Sequence, residues 1–160
     1  MIRIDGPFRR AEKAGIPILE LYVKDVASGE EVLAELVSET RHDIFRSNGP
    51  IVYVLSGPEP AKCTPMQYGG LFLEKDRELL QFAQEHGQQN EVWLHVDAGE
   101  GAYLDFVSDL PADVFAWDAK KTGVSLAEMR KLRAGKLCTN EKGTDVPLEM
   151  LNGKETANVG

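Results

Sequence analysis

Short apolar runs that each break off in a polar side chain, separated by segments of helical periodicity, constrain this chain more than any other feature. The clearest is Glu91-Val-Trp-Leu-His-Val-Asp-Ala-Gly99, a β-branched and aromatic run that ends at His95 and Asp97. Asp113-Val-Phe-Ala-Trp-Asp118 repeats the pattern and ends at Asp118. Runs of this length and composition predict buried strands. Parallel strands deliver their trailing polar residues to the mouth where each strand passes into the next helix. Five strands are expected, over residues 16–23, 50–56, 91–96, 113–117 and 135–139.

Helical patterns fill the gaps. Ser28-Gly-Glu-Glu31 has capping-box spacing, and Val32, Leu33, Leu36, Val37, Ile44 and Phe45 then stripe one side of a helical wheel up to Gly49. His42 falls off that stripe and is expected to be exposed. Residues 73–86 turn Leu79, Leu80, Phe82 and Ala83 inward and end at His86-Gly87, a helix terminus. Ala102, Tyr103, Phe106 and Val107 stripe a short helix, and Ser125-Leu-Ala-Glu128 is a second capping box, opening a helix to about Arg133. The order β-α-β-α-β-α-β-α-β implies right-handed crossovers and a mainly parallel sheet, an α/β fold of (β/α) units. Five strands do not close an eight-stranded barrel, so the sheet is open or is part of a barrel. Residues 57–70 (GPEPAKCTPMQYGG) read as a loop over the strand mouths, and residues 152–160 as a frayed tail.

Composition enters where it excludes partners. A chain of 160 residues suits one domain. Its net charge of −8 is the opposite of a phosphate-neutralising surface, so no nucleic-acid partner is expected. No apolar run approaches the roughly 18 residues of a bilayer span, and Met1-Ile-Arg-Ile-Asp-Gly6 is not a signal peptide, so a cytoplasmic protein without membrane association is expected. Cys63 and Cys138 lie far apart without C-x-x-C spacing and are expected to be free thiols.

The mouth residues are the candidates for chemistry. His95 and Asp97 leave their strand on the same face, where the imidazole can be a satisfied core group, a proton donor or a metal ligand. With Cys138 or Glu141 from a later strand end, they would form a partial set for a divalent ion. Asp118 can act as acid or base, as a ligand, or as an acceptor tying its loop to Thr122 or to the helix after Ser125. Asn140 also falls at the mouth, and Lys62, Lys120, Lys121 and Lys142 all fall in strand-to-helix loops. Those lysines could form a basic rim for a polycarboxylate. Tyr53, Tyr68 and Trp117 offer flat apolar contact or core packing.

Ile51-Val-Tyr-Val-Leu-Ser56, Trp93-Leu-His-Val-Asp97 and above all Asp113-Val-Phe-Ala-Trp-Asp118-Ala-Lys-Lys-Thr-Gly-Val-Ser-Leu-Ala-Glu128 resemble the uroporphyrinogen decarboxylase superfamily over roughly residues 30–153. That family joins tetrapyrrole decarboxylases to zinc-dependent methyltransferases of corrinoid proteins or thiols on a shared (β/α)8 barrel. The resemblance matches its middle-to-late barrel units, and so implies a partial TIM-barrel-like sheet of about five strands. It implies a carboxy-lyase that binds or decarboxylates a porphyrinogen without a cofactor. Asp97, Asp118 and His95 would be catalytic, and Tyr53, Lys62, Lys120, Lys121, Lys142 and Asn140 would hold the substrate. The alternatives are a zinc site of the methyltransferase type on His95, Asp97 and Cys138, acting on a corrinoid-related substrate, and a non-catalytic partial barrel completed by a second copy or another subunit. The family's Arg-rich N-terminal motif is only echoed by Arg9-Arg10, its His-x-Cys is replaced by His95-x-Asp97, and its C-terminal Gly-His-Gly stretch is missing.

Overall fold

The computed structural model describes residues 2–17, 26–86 and 91–133. Four strands, β1 (Ile2–Asp5), β2 (Ile51–Ser56), β3 (Val92–Asp97) and β4 (Val114–Trp117), form one sheet in the order β1-β2-β3-β4. Every pairing is parallel. The expected α/β class with parallel (β/α) units is therefore present. The strand order has no reversal, so right-handed crossovers send the connecting helices to the same side of the sheet.

The helices are α1 (Pro7–Lys13), α2 (Val26–Arg46), α3 (Pro65–Tyr68), α4 (Glu74–His86), α5 (Ala119–Thr122) and α6 (Leu126–Leu132). Against them β2 turns Ile51, Tyr53 and Leu55, β3 turns Val92, Leu94 and Val96, and β4 turns Phe115 and Trp117. With Phe8, Ile44, Phe72, Leu79, Leu80 and Met129 these residues make one apolar core. Alternation along a strand sends the intervening residues to the opposite face.

Several sequence-based expectations need correction. The first strand is Ile2–Asp5, and Ile16 and Pro17, at the start of the expected strand 16–23, are not in a strand. The rest of that segment and the expected strand 135–139 lie outside the described residues, as does the tail. Ser28 lies inside α2, so its box-like spacing does not mark the helix start. Leu33, Leu36 and Ile44 are buried on α2 as expected, but Phe45 is 62 % exposed and Thr40 takes an inward place. His42 is exposed, as its place off the stripe implies.

Residues 65–70 are helical, not loop. Thr64 caps α3 by accepting from the Gln67 amide while Gln67 accepts from the Thr64 amide, and Pro65 sits where a missing N–H costs nothing. A π-helical turn, Gly69–Leu73, joins α3 to α4. The short helix expected near residue 103 is a single 3-10 turn, Leu104–Phe106. Ser125 caps α6 as its spacing foretells, accepting from Glu128 N, and His86 ends α4 with a ring nitrogen 2.9 Å from Phe45 O.

Candidate functional site

Parallel registry sets out the face opposite the helices in rows. Arg3, Val52, Trp93 and Val114 form one row, and Asp5, Val54, His95 and Ala116 the next. Ser56 and Asp97 pair at the C-terminal end. Polar residues thus concentrate in the last rows, where strands pass into loops, and Asp118 follows directly after β4 on the same parity. His95 is only 4 % exposed and Ser56 only 1 %.

Arg9 closes this end from above. It lies in the first turn of α1, whose entry Gly6 and Pro7 fix just past β1, and its Nη1 donates to Asp97 Oδ2 at 3.3 Å. β1 and β3 lie two strand spacings apart, roughly 10 Å, so the guanidinium crosses the end of β2, where Ser56 sits. Arg9 Nε, Ser56 Oγ and His95 Nδ1 are buried with no hydrogen-bond partner among the described residues. Buried polar atoms are paired in the great majority of cases. Four such atoms, these three and Asp5 Oδ1 of the same row, therefore gather at one end of one face.

Electrostatics define what that place can hold. Burial drives the His95 imidazolium down to a pKa of about 4; Asp97 and Asp118 pull it back up, while Arg3 and Lys121 push it further down. His95 is neutral at pH 7 and serves as a hydrogen-bond donor or acceptor, not as a cation. Burial pushes the Asp5 carboxyl up, but the Lys13 ammonium and Arg3 outweigh it and keep Asp5 below its ordinary value, hence ionised. Asp97 pairs with Arg9, and Asp5 with Arg3 and Lys13.

The mouth loops are strapped together. Gly99 N donates to Glu59 Oε2 at 2.8 Å, Tyr103 N to Pro58 O at 3.0 Å, and the Tyr103 hydroxyl to Cys63 O at 2.6 Å. Gly57 begins the strap at φ +116, with Phe8 packed where a Cβ would stand. Cys63 is free and buried, in line with the free-thiol expectation.

The sequence candidates divide accordingly. His95 and Asp97 share one face, and Asp118 is close enough to influence His95. Asp118 has a structural role, though by other contacts than expected: its Oδ1 accepts from Lys120 N and Lys121 N and caps α5, and the tie to Thr122 runs through its backbone carbonyl, which accepts from the Thr122 hydroxyl. Lys120 and Lys121 are exposed on α5, and Lys62 pairs with Glu12 at 2.8 Å. Tyr53 belongs to the other side of the sheet: it is fully buried among the helices and pairs with Leu94, not His95. Trp117 is likewise in the core, its Nε1 donating to Val124 O. Cys138, Asn140, Glu141 and Lys142 lie outside the described residues.

Of the zinc set, His95 and Asp97 alone are described, and Asp97 is already engaged by a guanidinium. Among the described residues no group of three or more His, Cys, Asp or Glu comes together for a metal ion. Also among the described residues, no helix is long and apolar enough to cross a membrane.

Sequence reasoning missed two features. Arg9 joins the mouth through a contact spanning 88 positions, and only its place in an Arg-Arg pair drew notice. Asp76 of α4 is a fully buried carboxylate held by the hydroxyls of Tyr53 at 2.5 Å and Tyr68 at 2.8 Å. Burial lifts its pKa to about 7 against the downward pull of both hydrogen bonds. A charged residue three positions before Leu79 on the inward stripe was the available signal. No family model, curated protein or solved structure matches this chain.

Proposed function

We propose that the chain binds a tetrapyrrole polycarboxylate at the mouth of its parallel sheet and that the chemistry hosted there is loss of a carboxyl group, that of a carboxy-lyase. The observation that carries this reading is the set of buried, unpartnered polar atoms, Arg9 Nε, Ser56 Oγ and His95 Nδ1, at the C-terminal end of one face. All three can donate, His95 in its Nδ1–H tautomer, and a carboxylate is the ligand group that accepts several donors at once.

Roles follow from the contacts. Asp97 holds the guanidinium of Arg9, which leaves Arg9 Nε for the ligand. His95 is a neutral donor. Asp118 commits Oδ1 to α5, so its other oxygen, protonated, is the one suited to pass a proton to the pyrrole carbon, which then takes up the bonding electrons as CO2 leaves. Exposed Lys120 and Lys121 flank it and would steer the remaining carboxylates. Such chemistry needs an acid and cationic holders, and no cofactor.

Titration with uroporphyrinogen and with coproporphyrinogen tests this. Binding at roughly tens of micromolar or tighter is expected, weakened about tenfold or more in Arg9→Gln. Product analysis should show turnover lost in Asp118→Asn with binding kept. No binding by the unaltered chain ends the proposal.

A second reading rests on the strand order, which continues in one direction as half of an eight-stranded barrel would. Assembly with a second copy or another subunit would extend the sheet beyond β4 or β1. The β1 edge is blunted at Asp5, whose carbonyl accepts from Arg10 Nε and Thr40 Oγ1, so joining at β4 is favoured. A monomer by sedimentation at low micromolar concentration would refute self-assembly.

A further inference from the structure

Asp76 poses a physical problem that the mouth does not explain. It is 1 % exposed, and its partners are two hydroxyls, Tyr53 from β2 and Tyr68 from α3. The other charged or titratable groups bearing on this cluster do so through the tyrosines: Arg10 of α1 on Tyr53, and Cys63 of the mouth loop on Tyr68. Arg10 is itself engaged by Thr40 and Asp43. Among the described residues, no cation pairs with the carboxylate. An ionised carboxylate offers about four lone-pair sites, so two hydroxyls leave it short of partners. Only water could supply the rest.

The cluster is also connected to the mouth. The Tyr68 ring stacks on Phe72 at 6.2 Å and meets the edge of Tyr103 at 6.4 Å. Tyr103 is the residue whose side-chain hydroxyl donates to Cys63 O and whose backbone N–H donates to Pro58 O, near the two ends of the strap after β2. Immediately after Tyr68 the helix widens into the π turn Gly69–Leu73. A π turn is rare, recurs at functional positions, and is the part of this helical run most able to shift. Tyr68 therefore sits between a buried acid on one side and the loop clasp on the other.

We propose that Asp76, Tyr53 and Tyr68 form a proton-operated latch on the mouth loops. With the carboxyl protonated, it sits dry between the two hydroxyls, Tyr68 stays docked, and residues 57–64 are held closed over the strand ends. When the proton leaves to solvent, the buried charge draws in water, which enters by displacing Tyr68 and the π turn and loosening the Tyr103 clasp. The latch operates near neutral pH and does not depend on which ligand the mouth takes.

Two measurements on the full chain test it together: ¹³C NMR titration of the Asp76 carboxyl, and amide hydrogen exchange of residues 57–64, corrected for intrinsic rates, from about pH 5.5 to pH 8.5. In the unaltered protein, protection of those amides should fall by about tenfold across the window, in step with the carboxyl signal. In Asp76→Asn it should be flat and high. In Tyr68→Phe, which keeps the ring but frees it from the acid, it should be low throughout. Protection without a pH step in the unaltered chain, a step that survives in Asp76→Asn, or a carboxyl midpoint below about 5 each overturns the latch. Should Asp76→Asn not fold, the titration of the unaltered chain and the Tyr68→Phe exchange decide the matter.

Discussion

Two buried groups on opposite faces of the sheet should make this protein's stability insensitive to pH over a range where each alone would tilt it. Asp76 has a carboxyl raised from 3.8 to about 7, so in acid the native state keeps a proton that the unfolded chain has released. Its contribution is complete below about pH 4 and is lost as pH rises towards 7. His95 has an imidazole lowered from 6.5 to about 4, so the unfolded chain takes up a proton before the native state does. Its contribution is complete above about pH 6.5 and is lost as pH falls towards 4. Each group on its own tilts stability by about 1.4 kcal/mol per pH unit, in opposite directions, between roughly pH 4 and 6.5. Over that window each sum is about 3 kcal/mol, a large share of a typical domain's stability. Asp5 does not disturb the balance, because its carboxyl is lowered and titrates below 3.8. Urea unfolding followed by fluorescence of buried Trp117 at a series of pH values should therefore give a plateau for the unaltered protein. Asp76→Asn should turn the plateau into a rise with pH, His95→Gln into a fall, and the double variant should restore it. The slopes, not the offsets, carry the test, since either substitution also changes packing. Two single variants that tilt the same way, or that both stay flat, would refute the linkage.

Smaller perturbations probe the frame that holds the mouth. Gly57→Ala places a methyl 2.6 Å from the Phe8 ring at a backbone φ of +116, and should cost roughly 2–4 kcal/mol by thermal or urea unfolding. A cost under about 0.5 kcal/mol would show that the β2 exit is laxer than it looks. Arg133 caps the α6 end while buried, donating to Ser108 O, Leu110 O and Ala112 O with its guanidinium over Phe115 at 5.3 Å. Arg133→Met strands those carbonyls and should destabilise by about 2–4 kcal/mol, with Lys recovering only a minority because it lacks the planar fork. Equal stability of the Lys variant and the unaltered chain would contradict that geometry.

What was legible in the sequence, and what was not, divides along the range of the interactions involved. Hydrophobic period and local spacing sufficed for β2, β3, β4, the inward faces of α2 and α4, and the Ser125 cap, because each depends on neighbours within a few positions. The same locality placed His95 and Asp97 on one face and carried Asp118 to the strand end. It failed at β1, whose four residues alternate Ile and charge in a run too short to stand out, while the more apolar residues from Ile16 onward drew the assignment. It failed for residues 65–70 because the prolines and glycines there masked the signal Thr64-Pro-x-Gln67, a cap, a first-turn proline and a returning side chain. For Tyr53 the sequence leaves substrate contact and core packing both open, and the structure has core packing. Its face is set by which residue of β3 it pairs with, and one step of registry exchanges Tyr53 for Val54 beside His95. Arg9 lay beyond reach altogether, since its role exists only once α1 has been folded back over the end of β2. The mouth is thus a place where local pattern positions the acids and the imidazole, whereas long-range folding delivers the guanidinium. Of the three donors proposed to meet a carboxylate, Ser56 and His95 come from the strands and Arg9 alone from that second step, so Arg9→Gln is the change that separates the two contributions.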